Sequence, residues 1–405
     1  VRCTAGSIAA VAREGGGYNR PTLAIALIIL LVTLMQVGLR GSRVLTTLFA
    51  LDLGAGPWVT GVLFALHGLF PCLLAILAGR IADRFDNRQL MLGGVVALAA
   101  SLTLPYFLPS LTTLYFSVAL GGLTSMLYVL ATQNLIGLLS TPATRTRNFS
   151  YYAIGESSAS AVGPMLVGFS IDTYRHVPTY LFLAIYLGAV AIAVAAAYPR
   201  LHTTRREPAQ SQAPRAMSDL LRLPAMRQAL LTNGLVMAGV DLFQLYMPVY
   251  TNGIGFSASM IGLVVGAFGV ASFFSRLAIP PVTSRWGERR MIAVTLAISA
   301  IAFVGIPLTT SPVVLAVIAF ALGLGLGCGQ PLSMSLAYSA APKGRTAEAI
   351  AMRLAVSYGA HIVIPPVFGA VGTVLGVAPI FWVCSTLLCG GAWINRGPAV
   401  RRDRA

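Results

Sequence analysis

Apolar residues in this chain come in long, nearly unbroken runs. They show neither the strict alternation of a strand nor the one-sided stripe of a soluble helix. The runs fall at 22–51, 58–78, 90–108, 111–135, 149–171, 177–198, 228–252, 258–279, 291–310, 313–336, 350–374 and 377–394. Each is close to or beyond the roughly 20 residues that a helix needs to cross a bilayer's hydrocarbon core. The pattern therefore predicts an all-α membrane protein of twelve transmembrane helices. An even number places both ends of the bundle on one side. The one long polar interruption, at 199–227, divides the runs into two six-helix halves, 22–198 and 228–394, with tails at 1–21 and 395–405.

Charge orients the bundle. Arg84, Arg88, Arg145, Arg147, Arg285, Arg289, Arg290, Lys343 and Arg345 fall in alternate gaps, with Arg175 the exception on the other side. Basic gaps face the cytoplasm, so both tails and the central loop are expected there, with the protein in the inner or plasma membrane. The basic residues behind the formal net charge of +16 lie mostly in the gaps, the central loop and the tails, so no nucleic-acid partner is expected. Lys343 is the sole lysine and lies in "APKGRT", so no phosphate-binding loop of the ATPase type is present. Cys3, Cys72, Cys328, Cys384 and Cys389 have no paired spacing for zinc or redox work. No enzyme activity, cofactor or metal is expected. The polar, basic leader and the length of the run after Pro21 predict no cleavable signal peptide.

Shifted by 201 residues, the two halves align. Gly38 meets Gly239, Gly54 meets Gly255, Gly61 meets Gly262, Pro164 meets Pro365, Gly168 meets Gly369 and Pro178 meets Pro379. "DRFDNRQLM" lies over "SRWGERRMI", with Arg84 on Arg285 and Arg88 on Arg289. Glycine and proline dominate because close helix approach and kinks constrain them more than other side chains. A duplicated six-helix unit is the architecture of one large class of secondary transporters.

Gly79-x-x-x-Asp83-Arg84-x-x-x-Arg88, between the second and third runs, resembles the signature loop of the major facilitator superfamily. Asp86 and Asn87 depart from that pattern, which has a glycine and a basic residue there. The second-half copy keeps the glycine as Gly287 and has Ser284 for the aspartate. Gly155, Gly163, Pro164 and Gly168 in the fifth run resemble the glycine–proline motif of the family's antiporters. The resemblance implies that the first helix of each triplet lines a central cavity and the third faces lipid. It also implies a gating loop of Gly79, Asp83, Arg84, Arg88, Arg285 and Arg289, with Asp83 latching the cytoplasmic ends. The bacterial drug and metabolite efflux members are the nearest in character.

Charges inside spans are costly and mark function. Runs three, six, nine and twelve carry none; Arg40, Arg43, Glu156, Asp241 and Arg353 stand out in the others. Gln36, Arg40, Arg43 and Thr47 form one helical stripe, and Asn233, Asp241 and Gln244 another. Tyr152, Glu156 and Ser160 align with Arg353, Ser357 and His361 in the repeat. These stripes predict a wetted cavity touched by Gln36, Arg40, Arg43, Asn233, Asp241, Gln244, Gln330, Arg353 and His361, with Asp241 and Glu156 as proton carriers. Other readings stay open: Arg40 and Arg43 snorkelling to headgroups, a structural Arg40–Asp241 pair, Glu156 as a packing group, and His67 and His361 as core histidines.

The resulting expectation is a monomeric secondary transporter in the lipid bilayer, coupling protons to export of a small, anionic organic solute or drug. An uptake symporter for organic anions uses the same architecture, and a transporter-like receptor or scaffold is the alternative of another class.

Overall fold

The computed structural model describes residues 19–73, 85–141, 144–197, 199, 218–341 and 345–396. The first half comprises α1 (Asn19–Asp52), α2 (Pro57–Leu73), α3 (Asn87–Phe107), α4 (Leu111–Leu139), α5 (Arg145–Tyr174) and α6 (His176–Ala197). The second comprises α7 (Pro224–Gly253), α8 (Ala258–Trp286), α9 (Glu288–Gly305), α10 (Pro312–Ala340), α11 (Thr346–Leu375) and α12 (Ala378–Asn395). A single turn, Ser218–Leu221, precedes α7. The predicted twelve helices are all present, although α10 is interrupted at Cys328. Ten are long and apolar enough to cross a membrane, counted among the described residues. The other two are α2, described over 17 residues, and α5, which is long but more polar.

Each half builds its own apolar core. Tyr128 and Tyr180 are buried in the first, and Phe243, Phe303 and Phe381 in the second. The helices α3, α6, α9 and α12, whose apolar runs carry no charge, pack in pairs and expose Phe107, Ile192, Ile301 and Trp393, which suits a lipid-facing edge.

The 201-residue repeat is structural. Asn134 Nδ2 donates to Asn87 Oδ1 at 3.1 Å, and at the equivalent positions Ser335 donates to Glu288. Gly54 and Gly255 both take positive φ, +82° and +89°, to turn the chain between paired helices. The departures in the signature loop now have a physical role. Asp86, at φ −65°, caps α3 in a capping box with Gln89, and Arg88 folds back onto its Oδ2. Its counterpart Gly287, at φ +76°, caps α9 without a side chain.

The halves meet along two crossings, α2 against α11 and α5 against α8. A Cβ on Gly61 would strike the Pro365 carbonyl, and one on Gly262 the Pro164 carbonyl. Gly369 stands in the same way against Pro57, and Gly168 against Ala258. These contacts crowd the end that bears the α1–α2 and α7–α8 turns, called the outer end below because its loops are poor in basic residues.

Candidate functional site

Between the halves lies a cleft whose empty space, counting the part open to solvent, is about 370 Å³. It is lined by Arg40, Arg43 and Val44 of α1, Phe64 of α2, Ser160 and Pro164 of α5, Gln244 of α7, and Val265 and Phe268 of α8. Three sequence-predicted residues, Arg40, Arg43 and Gln244, thus share one wall space. The Arg43 guanidinium sits 5.6 Å from the Phe64 ring centroid, a cation–π contact that orients it. The Nε atoms of Arg40 and Arg43 are buried and find no hydrogen-bond partner among the described residues. Unmade donors of this kind are expensive unless a ligand or water meets them.

Two carboxylates flank the cavity, one in each half. Glu156 Oε1 accepts from Gln36 of α1 and, at 3.0 Å, from the Tyr152 hydroxyl. Gln133 of α4 donates to that hydroxyl at 3.3 Å, so a polar chain runs across α4, α5 and α1. Asp241 of α7 places Oδ2 2.6 Å from His361 Nδ1 of α11, a contact that becomes an ion pair when the histidine is protonated. Asp241 does not pair with Arg40; equivalence in the repeat puts the two on matching helix positions, and no ion pair joins them among the described residues.

The remaining predicted residues sit elsewhere. Arg353 donates to Asn233 Oδ1 at 3.1 Å, and Asn233 in turn donates to Ser357 at 2.9 Å and accepts from Ser333 at 3.0 Å. This cluster ties α7, α10 and α11 together within the second half. Gln330 is exposed, its amide 3.4 Å from Met237 Sδ. Gly155 and Gly163 let α5 close on α1, where added Cβ atoms would meet Thr33 and the Val37 carbonyl. Arg285 is exposed and Arg289 half-buried at the α8–α9 corner. Gly79, Asp83 and Arg84 lie outside the described residues.

Two residues of consequence were not picked out from the sequence. Arg276 of α8 donates to the Ala153 carbonyl of α5, bridging the halves. Its signal was a lone cation inside an apolar run, with Ala75 at the repeat position. Asp172, one residue beyond the fifth apolar run, accepts the backbone amides of Ala258 (3.0 Å) and Ser259 (2.8 Å) at the N-terminus of α8. Partial burial works to raise its pKa, but hydrogen bonds from Ser259 and Ala258 outweigh that and hold it below the ordinary 3.8. The matching position in the other half is Thr373, which bonds back to Gly369.

The sequence matches the family model described as Major Facilitator Superfamily over residues 25–365 and again over 229–402. The chain belongs to the major facilitator superfamily. The efflux pump azaK of Aspergillus niger is 26% identical over 249 residues, 58% of this chain and 53% of the pump. The uncharacterized MFS-type transporter YuxJ of Bacillus subtilis is 20% identical over 353 residues, 85% of this chain and 89% of its own. The class C tetracycline resistance protein of Escherichia coli is 25% identical over 249 residues, 60% of this chain and 62% of its own. The matched part thus spans about half the length of azaK and under two thirds of the resistance protein. Among solved structures, a peptide transporter POT in complex with sulfate superposes with TM-score 0.76 at 15% identity, covering 92% of this chain and 93% of that one. A POT family transporter in complex with 5-aminolevulinic acid gives 0.73 at 13%, covering 91% and 94%. These structures share the fold. The relatives are transporters, not enzymes, and this major facilitator protein is a multi-pass integral membrane protein.

Proposed function

We propose that this major facilitator protein is a proton-coupled secondary transporter that exports a small anionic organic solute by alternating access. The observation that carries the reading is the cavity between the halves, lined by Arg40 and Arg43 and flanked in opposite halves by the carboxylates Glu156 and Asp241. Arg40 and Arg43 line the cavity with buried Nε donors that no described side chain meets, which favours a solute bringing negative charge. Glu156 and Asp241 lie in opposite halves and have different partners, Gln36 and Tyr152 for the one and His361 for the other.

Export is favoured by the glycine–proline motif of α5 and by relatives named as efflux and resistance proteins. The charge pattern of the loops favours a plasma-membrane protein with both tails and the 199–227 loop in the cytoplasm, and a monomer is sufficient for the cavity described. Reconstitution in proteoliposomes containing a pH-sensitive dye provides the test. Adding an anionic solute should move protons with it. Flux that stays proton-dependent in both Asp241→Asn and Glu156→Gln would remove the coupling assignment.

A further inference from the structure

We infer that the solute held in the central cavity is an aromatic carboxylate, its carboxylate on Arg40 and Arg43 and its ring against Phe64 and Phe268. This names the substrate class of the site and rests on the transport reading above.

Four features of the cavity point the same way. First, its two guanidiniums each hold a buried Nε–H with no partner among the described residues, and Nε–H with a neighbouring N–H forms the fork that grips a carboxylate in the guanidinium plane. Second, no acidic side chain lines the cavity among the described residues. Asp241 contacts His361, and Glu156 accepts from Gln36 and Tyr152, so neither carboxylate hydrogen-bonds the two arginines among the described residues and their open Nε donors remain for a ligand carboxylate.

Third, the apolar part of the wall is aromatic where rigidity matters. Phe64 is fixed by Arg43 lying over its ring, and Phe268 by stacking on Phe243, with centroids 4.7 Å apart and planes 21° apart. Rings held in this way offer edges and faces to another ring at little entropic cost. An aliphatic acid of the same size would find the same charge but lose the ring–ring geometry. Fourth, the polar groups left over are few and neutral. Ser160 already donates to the Glu156 carbonyl and keeps acceptor capacity, and Gln244 offers an amide, which suits one neutral substituent on the ring.

The experiment is calorimetric titration of the full chain in lipid nanodiscs with four probes: benzoate, cyclohexanecarboxylate, benzamide and benzylamine. Benzoate should bind about tenfold tighter than cyclohexanecarboxylate, the size of one good aromatic contact, and benzamide and benzylamine should bind weakest. Phe64→Leu should bring the two acids to similar affinity, while Phe64→Tyr keeps the ring preference. Arg43→Gln should weaken both acids by about tenfold or more. Thermal unfolding of each variant separates lost binding from lost folding, and the Phe64→Tyr result stands even where Phe64→Leu misfolds.

Equal affinity for the two acids, tightest binding of benzylamine, or no binding of any probe would each overturn the assignment. Ring-selective acid binding without proton-linked flux would keep it and defeat the transport reading. Proton-linked flux of solutes with no ring preference would do the reverse.

Discussion

Asp241 and His361 face each other across α7 and α11, Oδ2 to Nδ1 at 2.6 Å, with the aspartate side chain 1% exposed and the histidine 30%. A carboxylate buried to that degree depends on its partner. His361→Gln should lower stability by on the order of 3 kcal/mol, and Asp241→Asn in the same background should recover much of it. Chemical unfolding in detergent of the two single variants and the double variant measures the coupling. Additive effects would mean that the pair is not an energetic unit.

Asp172 should act as a fastener of the outer end that is insensitive to ordinary pH. Its folded-state pKa is depressed, so its contribution is fully present above about pH 4 and is lost only as pH falls through the depressed value. Asp172→Asn should weaken the fastener by about 1 kcal/mol, the usual size of a charge at a helix N-terminus. Labelling of a cysteine placed in the cavity from the outer side should become several-fold faster in the variant. In the parent protein that labelling should not vary between roughly pH 5 and 8. A marked pH dependence across that range would show another group in control.

Arg175 carries φ +67° and ψ 178° between α5 and α6, a region suited to glycine. Its repeat counterpart is Gly376, at φ +82° and ψ 170°. Arg175→Gly should therefore raise thermal stability, by about 1 kcal/mol, although it removes a charge. Loss of stability on this change would mean that the guanidinium holds the outer surface together in some other way.

Gly168→Val should force α5 away from α8 at the Ala258 carbonyl, where backbone rather than a flexible side chain blocks the new atoms. The cost should be about 2 kcal/mol or more, seen as a lower melting temperature and lost transport. Gly188→Ala, with open space around it, is the control and should change neither.

Asp86→Ala should destabilise the start of α3 by about 1 kcal/mol, because the capping box is lost. Asp86→Gly should cost less, by a few tenths. Hydrogen exchange at the first turn of α3 reads both.

The helices and the repeat were legible because hydropathy and small residues are direct imprints of lipid and of backbone contact. Gly61, Gly168, Gly262 and Gly369 were conspicuous in the repeat for the same reason that they matter at the crossings. The site was legible in part. Stripe spacing put Arg40, Arg43 and Gln244 on cavity-facing surfaces, because a helix fixes which residues share a face. It could not supply partners: the repeat matched Arg40 with Asp241, yet a pseudo-twofold axis relates positions without bringing them into contact, and the aspartate went to His361. Arg276 escaped notice because its repeat counterpart is the apolar Ala75, so the repeat offered no matching polar position. Asp172 escaped because an acid at a helix end reads as an ordinary loop residue until the neighbouring helix is placed against it.

The two crossings at the outer end are built to the same plan, yet among the described residues only the α5–α8 crossing has a carboxylate clasping a helix N-terminus, since Thr373 stands where a second Asp172 would be. A frame fastened on one side swings like a door. Its free edge is α2 against α11, and spin labels there should part before labels across α5 and α8 do. The outer mouth would then open from the Phe64 side of the cavity, so the first surface that an entering or leaving solute meets is the aromatic one.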